Sequence, residues 1–300
     1  MAISPEFQAH LESGLTTLAR CWAVERRDGT VFGFTDHDRD LAFEGITFRA
    51  DTGLTARALE QTTGLAVDNS EALGILSDAS VKEEDIAAGR FDGAGVRAWL
   101  VNWQEVGQRV LLFAGTIGEI RRKGGGFEAE LRGLAEVLNQ PQGRIYQKPC
   151  TAVLGDGDCR FDLATPGYRA ELAAEEVVAG ETGGARIFRF ADLSAFDERW
   201  FERGRLTVLS GAAEGLTALI KNDRLSNSGR EIELWEALRA PVLPGDMLRM
   251  DAGCDKRAET CRLKFQNFLN FRGFPHIPGD DWLMSYPSRS GVNDGGSLQG

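Results

Sequence analysis

Four of the five cysteines in this 300-residue chain fall into two separated pairs. Cys150 and Cys159 lie in Lys148-Pro149-Cys150 and Asp156-Gly157-Asp158-Cys159, and Cys254 and Cys261 bracket Gly253-Cys254-Asp255-Lys256-Arg257-Ala258-Glu259-Thr260-Cys261. Thiolates are soft ligands, and loops with eight and six residues between paired sulfurs are long enough to wrap a cage. Structural zinc sites usually place about two to four residues between paired ligands, and neither pair fits that spacing. The pattern points to one metal site with four cysteine corners, an iron-sulfur cluster in first place, with zinc or no metal at all as the alternatives.

The neighbours of the second pair suit such a site. Gly253, Ala252 and Ala258 permit close backbone approach. Phe265, Phe268 and Phe271 can supply a dry shell, and Lys256, Arg257 and Asn267 can donate hydrogen bonds to sulfur. The plainer alternative makes the phenylalanines ordinary core and the basic residues solvated. Cys21, in the strand-like Cys21-Trp22-Ala23-Val24, reads as a small buried hydrophobe.

Other candidate chemistry is weaker. In Asp36-His37-Asp38-Arg39-Asp40 a histidine flanked by acids can bind metal or act as a base. No second histidine stands nearby and Asp favours turns, so a structural loop or a subunit contact is expected there. Asp156-Gly157-Asp158 lacks the later acidic ligands of an EF-type calcium loop and reads as the turn that presents Cys159. His276 reads as an ordinary packed or exposed histidine. The chain has no nucleophile-elbow serine, no phosphate-cradling glycine loop and no Cys-x3-Cys-x2-Cys triad of a radical enzyme.

Composition narrows the class. The net charge of -11 argues against nucleic-acid binding, which needs clustered Lys and Arg. No run of about 18 apolar residues is present, so no membrane span is expected. The first residues lack the basic and apolar regions of a secretory signal. A reducing cytoplasm follows, and there spaced cysteines serve metals or catalysis rather than disulfides. With 42% hydrophobic residues the chain can bury more than one core.

Elements that would position the cysteines are mostly strands. Ser4-Pro5-Glu6 is a helix start, and Phe7, Leu11, Leu15 and Leu18 continue it at helical spacing over 5–19. Short β runs follow at 21–25, 31–35, 41–43, 47–49, 57–60, 95–103, 109–121 and 127–132, with turns at Asp28-Gly29 and Glu44-Gly45. Alternation places Trp99, Val101 and Trp103 on one core-facing side. Short helices are expected over 81–89 and near 133–139. Between the cysteine pairs, 170–178 reads as helix and 186–190, 204–209, 216–222, 231–234 and 246–250 as strands.

The expected fold is mainly β with a few short helices. It comprises an N-terminal β-rich domain (1–140), a discontinuous cysteine-bound iron-sulfur domain (141–165 plus 251–286), an inserted small β-barrel or sandwich (166–250) and a tail (287–300) with the composition of a flexible segment that a partner would hold.

Several stretches resemble a known family. They are Phe34-Thr35-Asp36-His37-Asp38-Arg39-Asp40-Leu41, Gly253-Cys254-Asp255-Lys256 with Thr260-Cys261, and Lys264-Phe265-Gln266-Asn267 with Asn270-Phe271-Arg272-Gly273-Phe274-Pro275. Together with the cysteine spacing they are similar to the phage-like tail hub proteins of gene transfer agents and siphophage-like prophages, relatives of the tail tip protein of phage lambda. The resemblance implies a 4Fe-4S cluster on Cys150, Cys159, Cys254 and Cys261. It implies a non-enzymatic structural hub at the tail tip of a virion or gene transfer agent particle, a homotrimer joining the distal tail protein ring to a central tip or fibre protein. The 94 residues between the pairs far exceed those of the lambda protein, so the resemblance does not extend to the form or role of the inserted module. A cluster-dependent redox enzyme and a zinc-stapled adaptor are the competing classes, and the low histidine count and missing substrate motif weigh against the enzyme.

Overall fold

The computed structural model describes residues 3–50, 74–75, 82–123, 126–133, 143, 145–180, 184–226 and 229–277. The strand expected over 57–60, the helix expected beyond Gly133, Trp282 and the 287–300 tail lie outside these residues. What is described is mainly β with few short helices, as expected, and among the described residues no helix is long and apolar enough to cross a membrane.

Helix α1 (Pro5–Glu12) begins where the sequence indicates: Ser4 caps it, its side chain accepting from the Phe7 amide at 3.2 Å. It ends about two turns before the expected Ala19. Gly14 takes a left-handed φ of 72°, and the chain then enters β1 (Leu18–Glu25). Strand β2 (Val31–Thr35), the hairpin β3 (Leu41–Phe43) and β4 (Ile46–Phe48), β5 (Gly74–Ile75), helix α2 (Glu83–Ala87), β6 (Gly95–Asn102), β7 (Arg109–Lys123) and β8 (Gly126–Gly133) follow. The hairpin turns on Glu44 and Gly45, both at positive φ, the backbone that a tight two-residue hairpin requires.

Six strands form one antiparallel sheet in the order β2-β1-β6-β7-β8-β5. Strand β1 is buried on both faces. Trp22 and Val24 join Phe34, Phe91, Val96 and Ala98 on one side, while Cys21 and Ala23 join Phe43, Phe48, Trp99 and Val101 on the other. The β3–β4 hairpin supplies Phe43 and Phe48 to this second core, where their rings stand edge-on to Trp99 at 5.5 and 5.7 Å. The expected aromatic stripe is present, with Trp103 packed at its end.

The second sheet is built from β9 (Arg169–Ala173), β10 (Glu176–Ala179), β11 (Ala185–Phe190), β12 (Arg205–Val208), β13 (Thr217–Ser226), β14 (Gly229–Leu234) and β15 (Met247–Asp251). Residues 170–178, expected as helix, are instead the strands β9 and β10. Alanine and glutamate favour a helix locally, but residues 169–173 pair along their whole length with β15, and such pairing overrides a weak propensity.

The order of this sheet, β10-β11-β14-β13-β12-β15-β9, puts β9 and β10 at opposite edges although only Ala174 and Glu175 separate them in sequence. A flat sheet cannot bring its two edges so close. The sheet therefore curls over one core, in which Phe188, Leu206, Ile220, Ile232, Leu234, Leu248 and Met250 are fully buried. A bulge between Ile220 and Asn222 lets β13 leave β12 and pair with β14. The result is an incompletely closed barrel.

Candidate functional site

After β15 the chain turns away from the barrel into helix α3 (Ala258–Leu263) and a 3-10 turn (Phe268–Asn270). Gly253 starts this departure. Its amide donates to the Trp200 carbonyl at 2.9 Å, and a Cβ there would stand inside the van der Waals radius of the Glu202 carbonyl oxygen. Only glycine allows that approach. The segment before the barrel, 145–165, is almost without regular structure and lies against 251–277.

The two cysteine pairs, distant in sequence, line one small cavity of about 10 Å3, together with Ala152, Leu154, Lys256, Phe265, Asn267 and Phe271. Backbone and side-chain bonds set their positions. The Cys150 amide donates to the Lys256 carbonyl at 2.9 Å, and Lys256 Nζ returns a bond to the Ala152 carbonyl. The Arg272 amide donates to Cys150 Sγ at 3.3 Å. Asn267 Nδ2 donates to the Cys159 carbonyl at 2.7 Å and reaches its Sγ at 3.5 Å. Cys261 is on α3, and its carbonyl accepts from the Asn267 amide at 2.9 Å.

Asp156 shapes the loop that presents Cys159. Its carboxylate accepts from the amides of Val153, Asp158 and Cys159 at 2.7, 3.0 and 2.6 Å. These bonds, the Cys159 amide's foremost, hold the carboxyl below its ordinary range. The turn expected from Asp156-Gly157-Asp158 is thus present and is closed by its own first residue.

Burial inside the cavity favours neutral thiols at Cys254 and Cys261. Burial pushes Cys261 up to about 11, with the other three cysteines adding to the rise. Cys254 is also raised, mainly by burial. Lys264, at the barrel side, is pushed down to about 8 by burial. Its Nζ donates to the carbonyls of Trp200 and Gly253 at 2.6 and 2.9 Å and sits 4.2 Å from the Trp200 ring centroid.

This geometry corrects the cofactor expectation. The four cysteines do meet, but among the described residues no group of three or more His, Cys, Asp or Glu is placed to hold a metal ion. The physical reason lies in the arrangement. The thiols stand on the walls of a cavity about large enough for one water, and burial raises the thiols of Cys254 and Cys261 in the metal-free chain, so an incoming metal would have to displace their protons. Neither the 4Fe-4S cluster nor zinc is supported by this arrangement.

The supporting residues divide. Asn267 reaches a sulfur, and Phe265 and Phe271 line the cavity with Phe268 stacked on Phe271 at 5.5 Å. Lys256 binds a carbonyl and Arg257 gives its amide to Asp255. The Arg272 amide and Lys264 were not anticipated. The first is a backbone group that no residue pattern marks, and the second was readable only as part of a family motif.

The rival constellation is structural. Asp36 accepts from the Arg20 amide at 2.6 Å and Asp40 from the Ala50 amide at 2.8 Å. His37 accepts from the Arg39 amide at 3.0 Å and packs 4.9 Å from Trp103. Cys21 is fully buried, its thiol pushed up to about 11 by that burial, as its strand setting foretold.

Comparison with known proteins adds an independent line. Residues 4–162 match the family model "Baseplate hub protein, N-terminal attachment domain", and residues 199–281 match "Phage conserved hypothetical protein BR0599". A solved chain from the "Virion of native gene transfer agent (GTA) particle" is similar at 55% identity, with a TM-score of 0.86, over 98% of this chain and 100% of that one. No curated protein matches.

Proposed function

The chain belongs to the baseplate hub protein family, and on that premise we propose that it is the structural hub of a phage-like tail in a gene transfer agent particle. One observation carries the proposal: the likeness to a chain of such a virion runs through nearly the whole sequence, the inserted barrel included. The role is mechanical rather than catalytic. Three copies would form a ring that joins the distal tail protein ring on one side to a central tip or fibre protein on the other.

Within that role the parts divide as 1–140 for attachment, 166–250 as an inserted barrel, 141–165 with 251–286 as the unit around the cysteines, and 287–300 as a tail. Cys150, Cys159, Cys254 and Cys261 are the site residues of the third part. Their shared cavity fastens the two chain segments that enter and leave the barrel, through the Cys150–Lys256 and Cys159–Asn267 bonds. The large apolar side chains Tyr146, Val153, Leu263 and Leu269 stand exposed around this unit, as surfaces that await partners do.

The test is assembly. Producing cells that lack this chain are expected to yield particles without a completed tail tip, as seen by electron microscopy. Native mass spectrometry of the chain with its ring partner is expected to give three copies. Finished tails without the chain, or one copy per particle, would overturn the proposal.

A further inference from the structure

Between the first sheet and the barrel lies a cleft of about 750 Å3, within the range of small-ligand sites. Two cross-links fix it: Arg239 pairs with Asp92 at 2.7 Å, and Arg90 donates to the Ala212 carbonyl at 2.9 Å. One wall comes from the turns at 27–28 and 88–92, the other from 211–219 and 235–239 of the barrel. Nothing in the hub role proposed above uses this space.

Its lining is selective. Trp235 is 59% exposed and Leu219 60%, although both are large and apolar. The backbone that presents the indole is anchored, since the Trp235 amide donates to the Leu219 carbonyl at 3.0 Å. Lys221, itself bound to Glu233 at 3.0 Å, stands 5.7 Å from the ring centroid. A flat apolar platform therefore faces a cleft that also carries Arg27, Glu214 and Glu236, three charged side chains that make no ion pair among the described residues.

A neutral sugar matches this combination. Its C–H face packs on an indole, and its vicinal hydroxyls bond to planar carboxylates and guanidinium groups. Phosphate or nucleic acid would meet two unpaired carboxylates against one guanidinium, and a lipid chain would strand charged side chains. We infer that this cleft binds a neutral oligosaccharide, with Trp235 as the stacking platform and Arg27, Glu214 and Glu236 as hydroxyl partners.

Calorimetric titration of the full-length protein tests this, using maltose-, cellulose- and N-acetylglucosamine-based oligosaccharides, with hyaluronan fragments and inorganic phosphate as charged probes. At least one neutral series is expected to bind saturably and phosphate not at all. Trp235→Ala is expected to weaken binding about tenfold or more, Trp235→Phe to retain most of it, and Glu236→Gln to weaken it by less, with unchanged thermal melting showing that each variant is folded. The inference fails if no neutral series binds, if hyaluronan binds more tightly, or if Trp235→Ala binds as the parent does. It fails equally if Trp235 is shielded from chemical modification in the assembled particle, since a neighbouring protein would then occupy the cleft.

Discussion

The barrel buries Phe188, Phe201, Leu206, Ile220, Ile232, Leu234, Leu248 and Met250 completely, whereas the cysteine-lined segments 145–165 and 251–277 bury only Ala152, Ala252, Cys261 and Phe265 among their apolar side chains. Seven strands share the barrel's backbone hydrogen bonds. In the cysteine-lined unit isolated backbone bonds, such as Cys150 to Lys256, are supplemented by single side chains, with Asp156, Asn267, Lys256 and Lys264 each holding loop backbone. Repeated pairing spreads stability over many weak and similar terms. Loop fastening concentrates it in few groups, so a single change can open one part of the unit while the barrel stays folded.

The barrel has one exception, and the largest predicted effect falls there. Arg230 and Asp223 are wholly buried, joined by two bonds of 2.6 Å. Arg230 also donates to the carbonyls of Leu193, Phe196 and Asp197, while Asp223 accepts from the Phe201 amide. Both Nη atoms of Arg230 and Oδ2 of Asp223 serve the loop that leads to Trp200 and hence to Gly253. Arg230→Ala leaves a buried carboxylate without its partner and is expected to cost about 3–5 kcal/mol in urea unfolding. Replacing both residues by apolar ones of similar volume should recover much of the loss, which separates the charge effect from the packing effect.

Gly253→Ala comes next and tests whether the two regions unfold separately. The added Cβ meets the Glu202 carbonyl, and overpacking of this kind costs about 1–3 kcal/mol. Limited proteolysis is expected to cut within 251–277 while the barrel still melts cooperatively. Loss of both at one temperature would show a single cooperative unit and remove the contrast drawn above.

How far the sequence revealed these regions follows from range. Strand alternation and turn residues are local, and β2, β3, β6 and β11 stand within a residue or so of where the pattern puts them. Residues 170–178 failed because their local preference is helical and their strand character comes from β15, some 75 residues away. Curling of the sheet was open as barrel or sandwich for the same reason. The Arg230–Asp223 pair left a legible trace, since Arg230, Ile232 and Leu234 alternate inward on β14 and a charge at an inward position announces a buried partner. The cysteine spacing announced that two loops meet, which they do. The rise of the Cys254 and Cys261 thiols comes from burial, which spacing does not encode.

Lys264 joins the two regions, and its ionisation gives a smaller, pH-dependent effect. Its folded value of about 8 lies below the ordinary 10.5, so across that window the unfolded chain binds more protons and stability rises with pH. The thiols of Cys21 and Cys261, pushed up to about 11 from 9.0, act in the opposite sense, contributing stability that is lost as pH climbs from 9 toward 11. The lysine therefore acts alone between about pH 8 and 9. Urea midpoints are expected to rise over that interval in the parent and stay flat in Lys264→Met. A rise that persists in the variant would assign it to another group.

Asp156 carries the smallest expected change, because its carboxylate is open to solvent and screened. Its lowered pKa means that its contribution is present at neutral pH and is lost only as the pH falls through that value. Asp156→Asn keeps the shape but surrenders the charge and one acceptor oxygen, so the three amides of Val153, Asp158 and Cys159 can no longer all be satisfied. Global stability should barely move, while alkylation of the Cys159 thiol by iodoacetamide should quicken relative to that of Cys150, which Lys256 and Arg272 hold independently. Equal acceleration at both thiols would mean that the loops give way together, and that the cysteine-lined unit resembles the barrel in cooperativity after all.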